Sequence, residues 1–353
     1  MPGGLRTGEG IALAVVAAAT AVAAALELAH APDLAIFASA AGALAGLAWV
    51  VSFATEVVGA RLSPGVTGVL QATLGNLPEL FIVLFALRAG EVVVAQFSIL
   101  GSLFANALLV LGLVIVAGAW RSPGGVMRFH ARLPNDTATL LFLAVFVIVL
   151  LGASDSVGDR ASQHQVTISA IGAVVLLSIY GVFLLSYLRT GAGEAPTIAH
   201  ARVAMGMGVG LLAVAGVGAA FASEWFIGSL DGALDELGVS RAFAGLVIAA
   251  IAGNAVEHAV GIVLAWKQQH DLAISVVKNS VAQIAVFLFP ALVLVSLFFE
   301  YRLTFVVGAV YMAALALTAI AVWQITGDGE AVAFEGWALV ATYIVLATLT
   351  WFE

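Results

Sequence analysis

Long apolar stretches separated by short polar breaks fill this chain, and they predict helices that cross a membrane. Eleven such stretches reach or approach the roughly 20 residues that span a bilayer. They run over about 10–29, 34–59, 65–88, 92–118, 137–153, 166–189, 203–227, 242–266, 272–298, 302–324 and 334–352. The fifth is the shortest. Apolarity is continuous rather than alternating, which favours helices over the strands of a membrane barrel. Residues 11–28, after Arg6 and before Ala29-His30-Ala31, have the outline of a cleavable leader. Glu27 and the length of the run favour a first spanning helix instead.

The polar residues inside these runs fall into a pattern that occurs twice. Gly75-Asn76-Leu77-Pro78-Glu79 lies in the third span and Gly253-Asn254-Ala255-Val256-Glu257 in the eighth. Each puts an amide and a carboxylate three residues apart, on one face of a helical turn. Glu56 precedes the first copy and Glu224 the second. Ser98, Ser102 and Asn106 follow the first as a stripe on span four. Ser275, Asn279 and Gln283, with Ser280 at the edge, follow the second on span nine. The copies are five spans apart, and an odd offset turns the second upside down. This predicts an all-α polytopic membrane protein of about eleven transmembrane helices, one leading helix plus two inverted-topology five-helix repeats. The divisions are 1–31 for the leading helix, 32–190 for the first repeat, 191–202 for a connector and 203–353 for the second repeat. Residues 230–239 are extra in the second half.

Composition and charge narrow the class. Of 353 residues, 63% are hydrophobic and only 10% charged, which no soluble domain of this length matches. The chain has no cysteine, so disulfides and thiolate metal sites are excluded. No basic tract points to nucleic acid. With the N-terminus inside, Arg6, Arg61, Arg121, Arg128, Arg132, Arg189, Arg202 and Lys267 are cytoplasmic, while Arg88, Arg160, Arg241 and Arg302 are external. That bias predicts a cytoplasmic N-terminus and an external C-terminus.

A carboxylate within the bilayer is costly and by default marks an ion or proton path. Glu79 and Glu257 are therefore the first candidates for binding a cation, with Asn76 and Asn254 either supplying carbonyl oxygens that suit a hard ion or bonding neighbouring helices. Gly75 and Pro78 allow local unwinding that frees a backbone carbonyl beside Glu79. The stripes of Ser98, Ser102 and Asn106, and of Ser275, Asn279, Ser280 and Gln283, either line the site or bond neighbouring helices. Glu56 and Glu224 either pass protons or cations to the site or are interfacial. His258 points about 100° from Glu257 on a helix, as a proton shuttle or a helix contact. Lys278, about two turns into span nine, either snorkels to the surface or turns inward as a counter-charge to Glu257.

These residues resemble the calcium/proton antiporters of the calcium/cation antiporter superfamily, over nearly the whole chain. Gly75-Asn76-Leu77-Pro78-Glu79-Leu80, with Leu84-Phe85-Ala86-Leu87 and Gly101-Ser102, is similar to the first family motif. Gly253-Asn254-Ala255-Val256-Glu257-His258, with Gln283 and Pro290, is similar to the second. Ala54-Thr55-Glu56 and Ser223-Glu224 resemble the family's acidic positions on the second and seventh helices. The resemblance implies that Glu79 and Glu257 bind Ca²⁺ and protons in turn, lined by Asn76, Asn254, Ser102, Ser280 and Gln283. It implies exchange driven by a proton gradient through inward- and outward-open states. The chain departs from the family at Leu77-Pro78, at Lys278-Asn279-Ser280, and in a connector whose one acid is Glu194.

The expected function is therefore a secondary active antiporter that exports cytoplasmic Ca²⁺ for protons in a prokaryotic plasma membrane. Two carboxylates neutralise one divalent ion or hold two protons. No cofactor is expected, and Ca²⁺ is cargo. The alternatives are a sodium-coupled, monovalent or other divalent cation exchanger of the same fold, or a passive cation channel. A membrane hydrolase would need a nucleophile or His-held metal that His258 alone does not supply.

Overall fold

The computed structural model describes residues 4–62, 74–189 and 203–353. Its helices are α1 Thr7–Leu28, α2 Asp33–Gly59, α3 Leu77–Ala89, α4 Val92–Arg121, α5 Arg132–Val157 and α6 Gln165–Arg189 in the first half. The second half holds α7 Met205–Gly228, α8 Leu230–Leu237, α9 Arg241–Trp266, α10 His270–Ser296, α11 Ala309–Thr326 and α12 Ala333–Trp351. Ten of these are long and apolar enough to cross a membrane. The helix α3 forms most of the described part of the third predicted span, and residues 65–73 of that span lie outside the described ones. Two short strands, β1 Val126–Arg128 and β2 Glu330–Val332, pair antiparallel with Met127 opposite Ala331.

The helices α4 and α10 form the enclosed centre, whereas α1 lies at the periphery against α2. Outer helices turn large apolar side chains such as Phe146, Val214 and Ile344 outward. With no water to satisfy the backbone in a bilayer, such helices keep their hydrogen bonds internal and present hydrocarbon to lipid. Contacts exchange between the halves. The helix α7 packs on α3 as α2 packs on α9, and α12 packs on α4 as α6 packs on α10.

Loop contacts give each helix its direction. Arg61, just past α2, donates through Nη2 to the Val203 carbonyl just before α7 at 2.6 Å. The Gln268 side chain, just before α10, donates to the Arg121 carbonyl at the end of α4. The equivalent pairs α2 and α7, and α4 and α10, thus run in opposite senses, as the inverted offset requires. One face carries Arg61, Val203, the β1–β2 ribbon and the 267–271 turn. The other carries Arg241, which pairs with Glu91 at 2.9 Å and with Asp231.

Several elements differ from the hydropathy reading. The fifth span is not short. It starts at Arg132 because Pro134 falls in the first turn, where its missing N–H costs nothing. The tenth starts at Ala309 rather than near 302. Before it, Leu303, Phe305 and Val307 are buried while their neighbours are not, the alternation of extended chain. Gln96 of α4 donates to the Val306 carbonyl at 2.6 Å, and Phe305 N–H donates to Ser169 Oγ of α6 at 3.2 Å. Side chains of other helices thus satisfy a backbone that forms no helix. The extra residues after α7 fold as α8, an amphipathic helix of eight residues. Three π-helical turns, at Ala105–Val110, Ala244–Ala249 and Ile284–Leu288, interrupt α4, α9 and α10. Such turns are often found at functional positions.

Candidate cation site

The two Gly-Asn-x-x-Glu copies fold differently. In the first, the chain turns at Gly75 and Asn76, and α3 starts at Leu77 with Pro78 in its opening turn. Asn76 is the N-cap residue and Glu79 lies in the first turn, where the unpaired N–H groups favour negative charge. In the second, Ala250–Trp266 continues as α-helix straight through Gly253 and Asn254. Proline explains the difference, since it has no N–H to continue a helix upstream.

The two copies meet. A Cβ on Gly253 would stand 3.5 Å from the Cβ of Glu79. The Glu79 and Glu257 carboxyls are close enough to repel one another, and Ser102 and Asn254 lie within interaction range of Glu79. Asn254 Nδ2 donates to Ser102 Oγ at 2.8 Å and to the Ala250 carbonyl at 3.0 Å. Ser280 donates to Glu257 Oε2. Asn106 Nδ2 donates to the Ser102 carbonyl at 3.0 Å, one residue into the π turn of α4. The arrangement draws on α3, α4, α9 and α10, two helices from each half.

Its polar atoms are unusually free. Glu79 is wholly buried, yet neither carboxylate oxygen meets hydrogen-bond geometry with a protein donor. Both side-chain atoms of Asn76, the Ser98 hydroxyl and Asn106 Oδ1 are buried and unpartnered too. Leaving a polar group so costs about 1–3 kcal/mol each, more for a charge. Oxygens from carboxylates, amides and hydroxyls are the ligands a hard divalent cation takes. Among the described residues, no group of three or more His, Asp or Glu could hold a metal. Neutral amide and hydroxyl oxygens, rather than further acids, thus lie beside the two carboxyls.

The other expected residues lie around this centre. Ser275, Asn279 and Gln283 are half-buried on α10, with Asn279 Nδ2 bonding Ser275 Oγ at 3.3 Å along the helix. His258 is buried with Nε2 unpartnered. Glu56 is half-buried near the end of α2, and Glu224 is exposed on α7. Lys278 is buried within the bundle, and its Nζ donates to Thr326 Oγ1 of α11 at 3.4 Å. It neither reaches the surface nor, among the described residues, forms an ion pair with a carboxylate. We expect Lys278→Met to leave the number of protons moved per cation unchanged and to cost less than about 1.5 kcal/mol, as near-isosteric swaps do. Paired current and pH records from proteoliposomes would read the first, thermal unfolding in detergent the second.

Sequence reasoning passed over two hydroxyls. Thr55 and Ser223 are buried and unpartnered, each just before one of the acids Glu56 and Glu224. The tripeptides Ala54-Thr55-Glu56 and Ala222-Ser223-Glu224 carried that signal.

Comparison with known proteins places the chain in a family and supports its fold. The sodium/calcium exchanger protein family matches residues 32–188 and 207–352. A Ca²⁺/H⁺ antiporter of Aphanothece halophytica is 30% identical over 347 residues, 92% of each chain. The Ca²⁺/H⁺ antiporter ChaA of Bacillus subtilis is 30% identical over 328 residues, covering 91% of this chain and 93% of that one. The solved structure of native YfkE superposes with a TM-score of 0.81 at 28% identity, covering 97% of this chain and 100% of that one. An H⁺/Ca²⁺ exchanger CAX structure, at 18% identity and a TM-score of 0.78, shares the fold. With both halves matched and relatives aligned along nearly their whole length, this chain belongs to the sodium/calcium exchanger protein family.

Proposed function

We propose that the protein is a secondary active antiporter exporting cytoplasmic Ca²⁺ in exchange for protons. The observation that carries this reading is the buried, unpartnered Glu79 carboxyl within electrostatic reach of Glu257 from the other half. Two carboxylates, with Asn76, Asn254, Ser102 and Ser280 around them, neutralise one divalent ion or hold two protons, but not both at once. Occupation by either removes the net charge that holds the site in place, so the halves rock past one another only when it is filled. The relatives named Ca²⁺/H⁺ antiporters support the substrate pair. The arginine bias supports a cytoplasmic N-terminus, with the Arg61 face inside.

Cation uptake into everted membrane vesicles tests the reading, comparing Ca²⁺, Mn²⁺, Mg²⁺, Na⁺ and K⁺. Ca²⁺ uptake is expected only with an acid interior and is abolished by a protonophore. Because protons and cation share oxygens, apparent Ca²⁺ affinity falls as pH is lowered. Calorimetry in buffers of different ionisation enthalpy is expected to count about two protons released per cation bound. Uptake indifferent to the gradient would point to a channel, and coupling to Na⁺ instead of protons to a sodium-coupled exchanger.

A further inference from the structure

Thr55 and Ser223 occupy equivalent places in the two halves, on the helices that pack against those carrying the central glutamates. Both residues are almost wholly inaccessible, at 1% and 0% exposure, and neither hydroxyl has a hydrogen-bond partner. That is not the habit of hydroxyls in this protein. Thr20, Ser122, Ser156 and Thr326 each donate to the carbonyl four residues back, at 2.7–2.9 Å. The same acceptor exists one turn before Thr55 and Ser223, yet their hydroxyls are turned elsewhere. An orphaned buried hydroxyl is costly and calls for an occupant.

Their positions indicate what that occupant is. On α7, a Cβ added to Gly216 would stand 3.9 Å from Leu77 Cδ1 of α3, two residues from Glu79. Ser223 lies seven residues further, on the same stripe through buried Ala219, about 10 Å along the axis. It therefore stands between the level of Glu79 and the face bearing Arg241. Thr55 lies on one stripe with buried Leu44, Ala48 and Val51, four residues before α2 ends at Gly59 beside the Arg61 face. The inverted repeat thus puts one buried hydroxyl on each side of the central carboxylates.

We propose that Thr55 and Ser223 are transit ligands for the cation. Each offers a hydroxyl oxygen that replaces one water of hydration, Thr55 on the way to the Arg61 face and Ser223 on the way to the Arg241 face. The inference rests on the antiporter reading, and a side-specific measurement separates the two. Ca²⁺ exchange is recorded in everted and right-side-out vesicles for wild type, Thr55→Val, Ser223→Ala, and the conservative Thr55→Ser and Ser223→Thr. Thr55→Val is expected to raise the apparent KM for Ca²⁺ about fivefold from the Arg61 face only, and Ser223→Ala from the Arg241 face only. The conservative pair should restore wild-type values, and equilibrium Ca²⁺ binding in detergent should stay within about twofold. A change equal from both faces, a shift in proton dependence alone, or wild-type kinetics in both variants would overturn the proposal. Absence of gradient-driven Ca²⁺ exchange in the wild type would overturn the antiporter reading instead.

Discussion

Glu79→Gln is expected to abolish cation–proton exchange while the protein still inserts and folds, and Glu257→Gln to do the same. Glutamine keeps the shape of the side chain and removes both the charge and the titratable proton. At Glu79 the substitution relieves the burial of an ionisable group whose two oxygens have no protein donor, so thermal stability without cation should hold or rise. At Glu257 it exchanges a carboxylate accepting from Ser280 for an amide whose oxygen can still accept. A divalent ion bound there and each carboxylate form a buried pair of opposite charges, and removing one partner of such a pair typically costs about 3–5 kcal/mol; 3 kcal/mol is already more than a hundredfold in affinity. Exchange in everted vesicles should therefore fall by about a hundredfold or more in each variant. The double variant should be no worse than either single one, because the pair acts as one site. If both single variants keep a substantial part of wild-type exchange at normal expression, these carboxylates are not the cation site.

Much of this architecture is legible in the sequence, because a bilayer leaves so few options. Continuous apolarity marks the spans and repeated polar residues mark the centre. Glu79, Asn254, Glu257, Ser102 and Ser280 were all exposed to that logic, and the structure brings them together. What escaped it depends on contacts between distant segments. Residues 303–307 read as the start of a helix and run extended, because Gln96 and Ser169 satisfy their backbone. The β1–β2 ribbon needs two loops some 200 residues apart to meet on one face. The π turns have no side-chain signature of their own. Lys278 illustrates the limit most sharply. Its helix position leaves a choice between surface and site, and Thr326 of α11 offers a third partner that no spacing within α10 reveals.

Gly101→Ala is expected to be the most damaging single-methyl change among the glycines whose surroundings are described. A Cβ built there would stand 2.5 Å from the Cα of Leu246 in α9, and closer still to its carbonyl oxygen. The obstacle is backbone, which cannot swing aside as a side-chain tip does. On the partner helix, a Cβ on Gly245 would meet the Val94 carbonyl at 2.9 Å and Phe97 Cβ at 2.8 Å, so the crossing is tight from both sides. Small residues allow membrane helices this closeness, and van der Waals packing there is a main source of their association. Ser102 comes next in α4, and its hydroxyl accepts from Asn254 at 2.8 Å across the same interface. Pushing the helices apart breaks that bond and moves Ser102 away from Asn254 of the second motif. Overpacking usually costs about 1–3 kcal/mol, and a backbone obstacle puts Gly101→Ala at or beyond the upper end. Gly42→Ala is the internal control, since Gly42 lies within α2 with nothing within 4 Å of the added carbon. There alanine should be neutral or stabilise by up to about 1 kcal/mol through helix propensity alone. The measurement is thermal unfolding in detergent together with Ca²⁺ uptake for both variants. A Gly101→Ala protein that melts and transports like Gly42→Ala would show that α4 and α9 do not cross this closely, and the site geometry resting on that crossing would fall with it.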